Sequence, residues 1–302
     1  MFHVKQKLQM NEMKECPLCK SKEFSPYLET RDYFFSGEEF NLVQCSACRF
    51  VFTNPRPEDD HLEHYYKSEE YLSHKNKLNN LKDFLYKFAK TIGIKNKFGL
   101  VKTLSGKNTG KILDYGSATG DLLAYFKKKN WQVAGLELNE EARKKSIEKH
   151  QIKVYSEKSE LLGQQFDVIS LWHVLEHISD LEETMKCLYG CLDKDGILII
   201  AVPNINSWDA SFYGKYWAAL DTPRHLYHFN KHSFKKLAEN FGFRLRNIKP
   251  LVFDAYFISL LSEKYKRGFY HYPMAFINGF KSNIKARQNM NYSSLIYILK
   301  KL

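Results

Sequence analysis

The sequence predicts an α/β protein in which helices cover a mainly parallel sheet, preceded by a small N-terminal ribbon with four cysteines. Apolar runs at 166–172 and 196–204 are near-continuous, as in parallel strands buried on both faces. A glycine-containing turn between an apolar strand and a helix, at 112–129, indicates the same architecture. Two C-x-x-C pairs within the first 48 residues predict the ribbon.

The segment ILDYGSATG, at 112–120, ends the first predicted strand in a tight turn. Gly116 and Gly120 allow the backbone to pass close to a ligand before the helix DLLAYFKKK begins. The next strand, in VAGLELN, ends at Glu137, which lies 21 residues beyond Gly116. An acid about 20 residues after such a turn binds ribose hydroxyls in a βαβ unit. The sequence therefore predicts a ribose-containing ligand.

The residues of the turn also indicate the charge of that ligand. A dinucleotide site prefers glycines at 116, 118 and 121, whereas this chain has Gly116, Ala118 and Asp121. An acid at the start of the helix disfavours a phosphate, because both groups are negative. We therefore expect a cationic or zwitterionic ligand.

Several motifs in order along the chain make this interpretation more specific. Asp114, Gly116 and Gly120 resemble motif I of the class I S-adenosylmethionine-dependent methyltransferases, with Ala118 where glycine is usual. HVLEH at 173–177, IAVPN at 200–204, PRHLYHFN at 223–230 and GF at 242–243 follow it. Together they resemble the small-molecule branch of that superfamily, which includes quinone O-methyltransferases and sugar C-methyltransferases. The resemblance covers about residues 110–243.

This resemblance implies a Rossmann-like sheet of seven strands and methyl transfer from S-adenosylmethionine. The fourth strand would open the segment 166–180, the fifth would be 196–204, and a helix at 181–192 would cross between them. The segments 244–253 and 293–302 would form an antiparallel sixth and seventh strand. It also implies a set of cofactor-binding residues: Asp114, Gly116, Ser117, Ala118, Gly120, Glu137 and Leu138.

The ribbon has the spacing of a metal site. Cys16-Pro-Leu-Cys19 and Cys45-Ser-Ala-Cys48 are separated by 25 residues, somewhat more than the usual span of about 15 to 20. Each pair places two thiolates on one turn, and the two pairs together complete a tetrahedral site with no open position. We therefore expect a structural zinc ion. Disulfides would require an oxidising compartment, which nothing in the sequence indicates.

Prolines at 55 and 57 mark a boundary after the ribbon. We divide the chain into a zinc ribbon at 1–54, a helical linker or cap at 55–108 and a methyltransferase domain at 109–302. In the linker, a helix with one apolar stripe is predicted to cover the core or the cofactor cleft. The stripe consists of Leu78, Leu81, Leu85, Phe88 and Ile92.

Two insertions near 204–228 and 254–291 are expected on the substrate side of the methyltransferase domain. The first contains Trp208, Tyr213, Tyr216 and Trp217, which we interpret as a covering lid. The second is aromatic and basic, and in related folds such insertions line the substrate pocket. A hydrophobic cap with solvated lysines is the alternative for the second insertion.

Methyl transfer needs both reactants held in line and a base that takes the acceptor's proton. His225, after the fifth strand, is the first candidate for that base, and His173, after the fourth, is the second. In the resembling sugar C-methyltransferases a Glu-His pair stands at this place, whereas here Arg224 precedes His225. We expect Arg224 to bind a phosphate or carboxylate of the substrate. For His173, His177 and His228, capping or core hydrogen bonds are the alternative.

The charge balance of 46 basic against 34 acidic side chains, a formal net charge of +12, favours an anionic partner. We expect a small anionic metabolite, such as a sugar- or quinone-like precursor, to be methylated on oxygen or carbon. RNA is the first alternative, because a zinc ribbon joined to a methyltransferase also resembles certain ribosomal RNA methyltransferases. The near-neutral ribbon argues against RNA, as does LWHVLEH after the fourth strand in place of an Asp/Asn-Pro-Pro-aromatic motif. Binding of S-adenosylmethionine without turnover is the second alternative.

No apolar run approaches the roughly 20 residues of a membrane span, and MFHVKQKLQM lacks the apolar core of a signal peptide. We therefore expect a cytoplasmic protein. Nothing in the sequence predicts an oligomeric state.

Overall fold

The computed structural model of the protein describes residues 10–66 and 80–302. Its N-terminal part consists of short strands around the four cysteines: β1 (Met10–Asn11), β2 (Phe24–Arg31), β3 (Glu39–Cys45), β4 (Val51–Thr53) and β5 (Arg56–Pro57). β2, β3 and β4 are antiparallel, and β1 pairs with β5. A single helical turn, α1 (Asp59–Leu62), follows.

The predicted helix of the linker is present as α2 (Asn80–Ser105). Leu78 and the side chains of Leu81, Leu85 and Phe88 lie outside the described part of the chain, and Ile92 is exposed. The contact with the core is made further along the helix, where Phe98, Val101 and Leu104 pack with Phe126 and Trp131. The helix therefore covers the core, as expected, but through residues beyond the predicted stripe.

The central sheet has the seven strands that the sequence predicts, and the α/β fold class is confirmed. They are β6 (Lys111–Tyr115), β7 (Gln132–Leu136), β8 (Lys153–Tyr155), β9 (Phe166–Trp172), β10 (Leu192–Pro203), β12 (Phe243–Pro250) and β13 (Ser294–Lys301). Their order is β12-β13-β10-β9-β6-β7-β8. β6 to β10 are parallel, and β13 pairs antiparallel with both β10 and β12. The predicted antiparallel pair at the end of the chain is thus confirmed.

Helices alternate with these strands because each parallel connection needs a crossover. They are α3 (Asp121–Lys127), α4 (Glu140–His150), α5 (Leu181–Cys191), α6 (Trp208–Tyr213) and α7 (Lys231–Asn240). Asn139, Asp180, Ser207 and Asn230 cap four of them, since each side chain accepts a hydrogen bond from a backbone amide three residues on.

The second insertion forms a helical hairpin, α8 (Asp254–Arg267) and α9 (Tyr272–Asn289). It packs against α6 and the short turns that follow α6. Two of the four aromatic residues of the first insertion do not belong to a lid: Tyr213 and Trp217 are buried in an apolar cluster with Ile205 and Leu220. For these two rings the expectation is corrected, because they form part of the core between the two insertions.

One short strand joins the ribbon to the catalytic part of the chain. β11 (Tyr227–His228), from the PRHLYHFN segment, pairs with β4 and completes a four-stranded sheet ordered β11-β4-β3-β2. The Thr53 hydroxyl donates a 3.0 Å hydrogen bond to the carbonyl oxygen of His225. The ribbon therefore packs directly on the segment that carries His225.

Candidate active site

The turn after β6 has the geometry that a close backbone approach requires. Gly116 and Gly120 have φ of 78° and 73°, in the left-handed region that favours glycine. A Cβ on Gly116 would lie 2.4 Å from Val174 Cγ2, and one on Gly120 would lie 2.1 Å from Ser146 Oγ. Ala118 also has a positive φ, 46°, so this departure from the usual glycine is accommodated in the same loop.

Glu137 lies beside this loop at the end of β7. Its Oε2 accepts a hydrogen bond of 2.8 Å from the backbone amide of Ala118, and its Oε1 accepts one of 2.9 Å from that of Asn139. The next residue, Leu138, is 72% exposed. An acid fixed against the glycine turn and an uncovered apolar side chain beside it fit a ribose and an adenine.

Asp114 is buried at the end of β6, where the Ser170 hydroxyl donates to its Oδ1 at 2.7 Å. Burial raises the pKa of Asp114 to about 7, against the smaller opposing effects of Ser170 and Lys97. Lys97, on α2, lies with its Nζ 4.3 Å from the centre of the Trp172 ring. Burial lowers the pKa of Lys97, while Asp114 and Asp254 act to raise it.

Two residues at the turn have surroundings that the sequence did not indicate. The Ser117 hydroxyl is buried without a hydrogen-bond partner and faces Gly135, so only its backbone is available at the loop. The Asp121 carboxylate pairs with Lys90 and Lys149. Although burial acts to raise the pKa of Asp121, these cations hold it well below its usual range. Asp121 therefore stays ionised, but the two lysines balance its negative charge. The repulsion of an anionic ligand that the sequence predicted is correspondingly weakened.

The structure brings the histidines of HVLEH and PRHLYHFN together at the carboxyl ends of the parallel strands. The rings of His177 and His225 meet edge to face, with their centres 4.5 Å apart. His173 lies at the end of β9 with a φ of 56°. Glu176, which lies between His173 and His177 in the chain, is fully buried in a 3-10 turn. Both segments predicted to carry the chemistry therefore meet in one place.

His173 is enclosed by two carboxylates. Its Nδ1 lies 3.2 Å from Glu176 Oε1, and its Nε2 lies 2.9 Å from Asp254 Oδ2. Burial alone would lower the pKa of His173, but Asp254 and Glu176 outweigh it and raise this pKa to about 10. Both carboxylates favour the protonated ring, in which neither nitrogen has a lone pair for the acceptor's proton, and the role of His173 as the second candidate base stays a prediction.

His225 and His177 are oriented by hydrogen bonds to carbonyl oxygens. His225 Nδ1 lies 2.9 Å from the oxygen of Ala219, and His177 Nδ1 lies 3.1 Å from that of Arg224. Since a carbonyl oxygen only accepts, Nδ1 of His225 carries a hydrogen, and in the neutral ring its Nε2 keeps a lone pair. His177 Nδ1 also lies 2.9 Å from the Tyr66 hydroxyl, which can donate or accept, so these contacts do not fix the tautomer of His177. Burial and the neighbouring His225 lower the pKa of His177 to about 4.

His228 has a structural place instead. Burial lowers its pKa to about 3, and its Nε2 lies 3.1 Å from the Thr53 hydroxyl of the ribbon. This agrees with the interpretation of His228 as a core histidine.

Arg224 links the ribbon to the segment that carries His225. Its side chain is 1% exposed, and its guanidinium pairs with Asp32 of the ribbon at 2.8 Å and with Asp221 at 2.7 Å. Both carboxylates take donors that a substrate anion would need. Binding of a substrate anion by Arg224 stays a prediction, and these two pairings argue against it.

The four cysteines converge as the spacing predicts. Sγ of Cys16 lies 3.6 Å from that of Cys48, and Sγ of Cys19 lies 3.5 Å from that of Cys45. These separations exceed the roughly 2.05 Å of a disulfide and approach the roughly 3.8 Å edge of a tetrahedral zinc-thiolate site. All four sulfur atoms lie within 4.8 Å of one another.

Lys97, Asp254 and Glu176 were not among the site residues that the sequence predicted. Lys97 and Asp254 come from the linker helix and from the second insertion, whose positions over the sheet depend on tertiary packing. For Glu176, the spacing of three residues from His173 in HVLEH was the available signal, because residues i and i+3 of a helical turn are neighbours.

Comparison with known proteins assigns this arrangement to a class. A family model described as "Methyltransferase domain" matches residues 92–248, just over half of the chain. The chain therefore belongs to this methyltransferase family. It is an S-adenosylmethionine-dependent methyltransferase, as the glycine turn and the seven-stranded sheet also indicate.

The individual proteins that the chain resembles share little sequence identity with it. A demethylmenaquinone methyltransferase of Chlorobaculum tepidum is 27% identical over 194 residues, which cover 54% of this chain and 80% of the relative. The crystal structure of a Burkholderia thailandensis 1,6-didemethyltoxoflavin-N1-methyltransferase, with bound 1,6-didemethyltoxoflavin and S-adenosylhomocysteine, aligns with a TM-score of 0.50 and 14% identity, covering 92% of this chain and 99% of its own. The crystal structure of the Synechocystis magnesium protoporphyrin IX methyltransferase aligns with a TM-score of 0.48 and 13% identity, and the alignment covers 80% of this chain and 94% of its own.

Proposed function

We propose that this methyltransferase methylates an oxygen or carbon atom of a small anionic metabolite, such as a sugar- or quinone-like precursor, and that His225 takes the acceptor's proton. The observation that carries this proposal is the meeting of His225 and HVLEH at the sheet edge where the glycine turn ends. A relative that acts on demethylmenaquinone supports a quinone-like acceptor. With Arg224 paired, the anionic character rests on the net charge of +12.

In this proposal the cofactor lies on the glycine turn. Glu137 would bind the ribose hydroxyls, Leu138 would cover the adenine, and the backbone of 116–120 would line the remainder. Asp114 would carry the charge that complements a cationic ligand. When bound, S-adenosylmethionine supplies a methyl group on a positively charged sulfur, which is already electrophilic.

The histidines then provide the proton chemistry. A hydrogen on His225 Nδ1, bonded to the Ala219 carbonyl, leaves the lone pair on Nε2 to accept a proton from the acceptor atom, and Asp221 Oδ2, 3.9 Å from Nε2, would stabilise the imidazolium that forms. Neutral His177 packs against that ring. The His173 imidazolium holds the carboxylates of Glu176 and Asp254 in place, so we assign it a positioning role.

We also propose that Cys16, Cys19, Cys45 and Cys48 bind a structural zinc ion. Each pair is followed by a residue with positive φ, Lys20 at 62° and Arg49 at 60°, so the two turns have matching shapes. Four thiolates leave no open coordination position, which excludes a catalytic role. The domain division at residues 54 and 108 is kept as part of this proposal, with β11 as the strand that joins the first part to the third.

The first test is to incubate methyl-labelled S-adenosylmethionine with the full-length protein and a cell extract, and then to separate RNA, protein and small molecules. Label in the small-molecule fraction is the expected result. Nuclease-sensitive label in RNA would replace the proposal with the RNA alternative, and no label above a heat-denatured control would favour binding without turnover.

The role of His225 is tested separately. His225→Ala is expected to lower kcat by roughly 10²- to 10⁴-fold while leaving S-adenosylmethionine affinity unchanged, since the loss falls on proton transfer. His232→Ala, which removes an exposed histidine on α7, is the matched control. Equal rates in both variants would remove His225 from the mechanism.

A further inference from the structure

The hairpin of α8 and α9 exposes more large apolar side chains than any other part of the described chain. Phe253 is 72% exposed and Phe276 is 64% exposed. Phe257, Phe269, Tyr272 and Phe280 are also exposed. Apolar surface of this extent on a water-soluble domain marks an interaction site. We call these six side chains the aromatic patch.

The inner side of the hairpin carries mainly small and polar side chains around Ile258, and its outer side carries most of its large apolar ones, unlike an ordinary surface helix pair. Inside, Ser262 donates to Ile258 and accepts from the Ala218 amide, and Ser282 donates to Asp209. Outside, Phe276 and Phe280 repeat at a spacing of four residues, which places them on one face of α9. Hydrogen bonds thus fix the hairpin to the protein, and its apolar face is left outward.

The two helices present this face as one surface. Tyr256 contacts Gly279 so closely that a Cβ on the glycine would lie 2.8 Å from the tyrosine ring. The rings of Tyr256 and Phe276 have their centres 5.4 Å apart. The aromatic side chains of α8 and α9 are therefore adjacent at this crossing.

The charges around the aromatic patch have one sign. Residues 254–289 contain six lysines and arginines and only two acids, Asp254 and Glu263. Asp254 pairs with His173, and Glu263 is buried and pairs with Arg267. Lys281 and Lys285 alternate with Phe280 and Ile284 on the exposed face of α9. An apolar surface with exposed cations at its margin complements an anionic lipid surface.

We propose that the α8–α9 hairpin docks this protein onto the surface of an anionic phospholipid membrane. The aromatic rings would enter the boundary between headgroups and acyl chains, and the lysines would contact lipid phosphates. Within residues 10–66 and 80–302, no helix combines the length and the apolar character of a membrane span. A second copy fits this surface poorly, because a two-fold contact would bring Lys281 and Lys285 close to the same lysines with no exposed acid between them.

The position of the hairpin gives docking a consequence. Phe253 directly precedes Asp254, whose carboxylate bonds to His173 at the active site. A protein bound through the aromatic patch would therefore hold its active site near the membrane surface. This inference goes beyond the proposed function and does not depend on it, because membrane binding is measured without turnover.

The test is flotation of the full-length protein with phosphatidylglycerol-containing vesicles and with pure phosphatidylcholine vesicles. Binding is expected to the anionic vesicles and to weaken as salt is added, since exposed charges are screened. Phe276→Ser/Phe280→Ser is expected to weaken this binding about tenfold or more, because two rings no longer leave water. Lys281→Glu/Lys285→Glu is expected to abolish the preference for anionic lipid.

Leu162→Ser is the matched control, since Leu162 is 79% exposed and lies outside the hairpin. This variant should bind vesicles as the unchanged protein does. Thermal melts of each variant identify any that fails to fold. Failure of the unchanged protein to float, or equal flotation of the Phe276→Ser/Phe280→Ser variant, would overturn the proposal. So would a dimer that this variant dissociates, in a protein that does not bind vesicles, because the occupant would then be a second copy.

Discussion

At the ends of β6 and β7 two acids meet the same glycine turn in different surroundings. Asp114 is buried, and its pKa is raised to about 7, whereas Glu137 is half-buried and accepts hydrogen bonds from two backbone amides. Burial disfavours the charged form of Asp114, and a cationic ligand nearby would restore it. The two acids therefore make different contributions to cofactor binding, and each can be tested.

Asp114 should make cofactor binding depend on pH. Below pH 7 the free protein holds a proton on Asp114 that a cationic ligand displaces, so affinity should rise by up to about tenfold per pH unit until pH 7 and then level off. Calorimetric titration with S-adenosylmethionine at pH 6, 7 and 8 measures this. Asp114→Asn should remove this rise of affinity with pH, while Asp195→Asn, at an exposed position, should keep it. An unchanged pH profile in Asp114→Asn would contradict the assignment.

Glu137→Ala should weaken binding of S-adenosylmethionine by roughly tenfold to a hundredfold, as expected for losing hydrogen bonds to a charged group. The same titration at pH 8 measures the change, away from the titration of Asp114. Glu140→Ala is the control, because that acid is exposed at the start of α4 and pairs with Lys144. If the two variants bind alike, Glu137 does not contact the ribose.

How far sequence predicts a site depends on how local the signal is. Gly116, Ala118 and Glu137 belong to one βαβ unit, so their spacing along the chain indicates their arrangement. Arg224 and His173 depended on partners from distant segments, Asp32 and Asp254, which the sequence does not reveal. Their predicted roles therefore did not take account of these partners, although a charge is available to a substrate only when no partner has taken it.

At the scale of elements, the ribbon and the catalytic segment form one sheet. β4 pairs with β11, with Phe52 opposite Tyr227 and Val51 opposite His228. Cys45 ends β3, and Cys48 lies between β3 and β4, so a metal held there fixes the strand that supports His225. A ribbon that looks like a separate module in sequence thus becomes part of the active-site support.

Loss of the metal should therefore impair catalysis more than cofactor binding. Cys45→Ser is expected to lose about one equivalent of zinc, to lower the melting temperature and to reduce kcat, while S-adenosylmethionine affinity changes little, since the glycine turn lies on another sheet. Metal analysis by mass spectrometry and calorimetry measure both. Cys187→Ser, on α5, should retain zinc and activity. Full activity in a zinc-free Cys45→Ser protein would show that the ribbon does not position His225.

For the whole molecule, the central parallel strands could be located from sequence because strands buried on two faces read as apolar runs. The outward apolar side of the α8–α9 hairpin was not predicted, since aromatic residues in an insertion are as typical of a buried cap as of an exposed surface. Only the hydrogen bonds of Ser262, Ser282 and Asn278 reveal which side faces inward. Composition alone cannot make that distinction.

The Arg224–Asp32 pair connects the ribbon to the catalytic part, so it should control the stability of both together. Arg224→Met removes the cation that pairs with Asp32 and Asp221, and it leaves the carboxylate of Asp32, which is 1% exposed, with hydrogen bonds from backbone amides only. Loss of this buried partner should lower the free energy of unfolding by about 3–5 kcal/mol. Asp32→Asn/Arg224→Met should regain part of this loss, because the unpaired carboxylate is gone. Urea unfolding followed by far-ultraviolet circular dichroism measures both. Arg246→Met, on the exposed part of β12, should change stability by no more than about 0.5 kcal/mol. If the changes in unfolding free energy of Asp32→Asn and Arg224→Met, measured singly, simply add in the double variant, the guanidinium and Asp32 do not interact. The ribbon would then be held mainly by the pairing of β4 with β11.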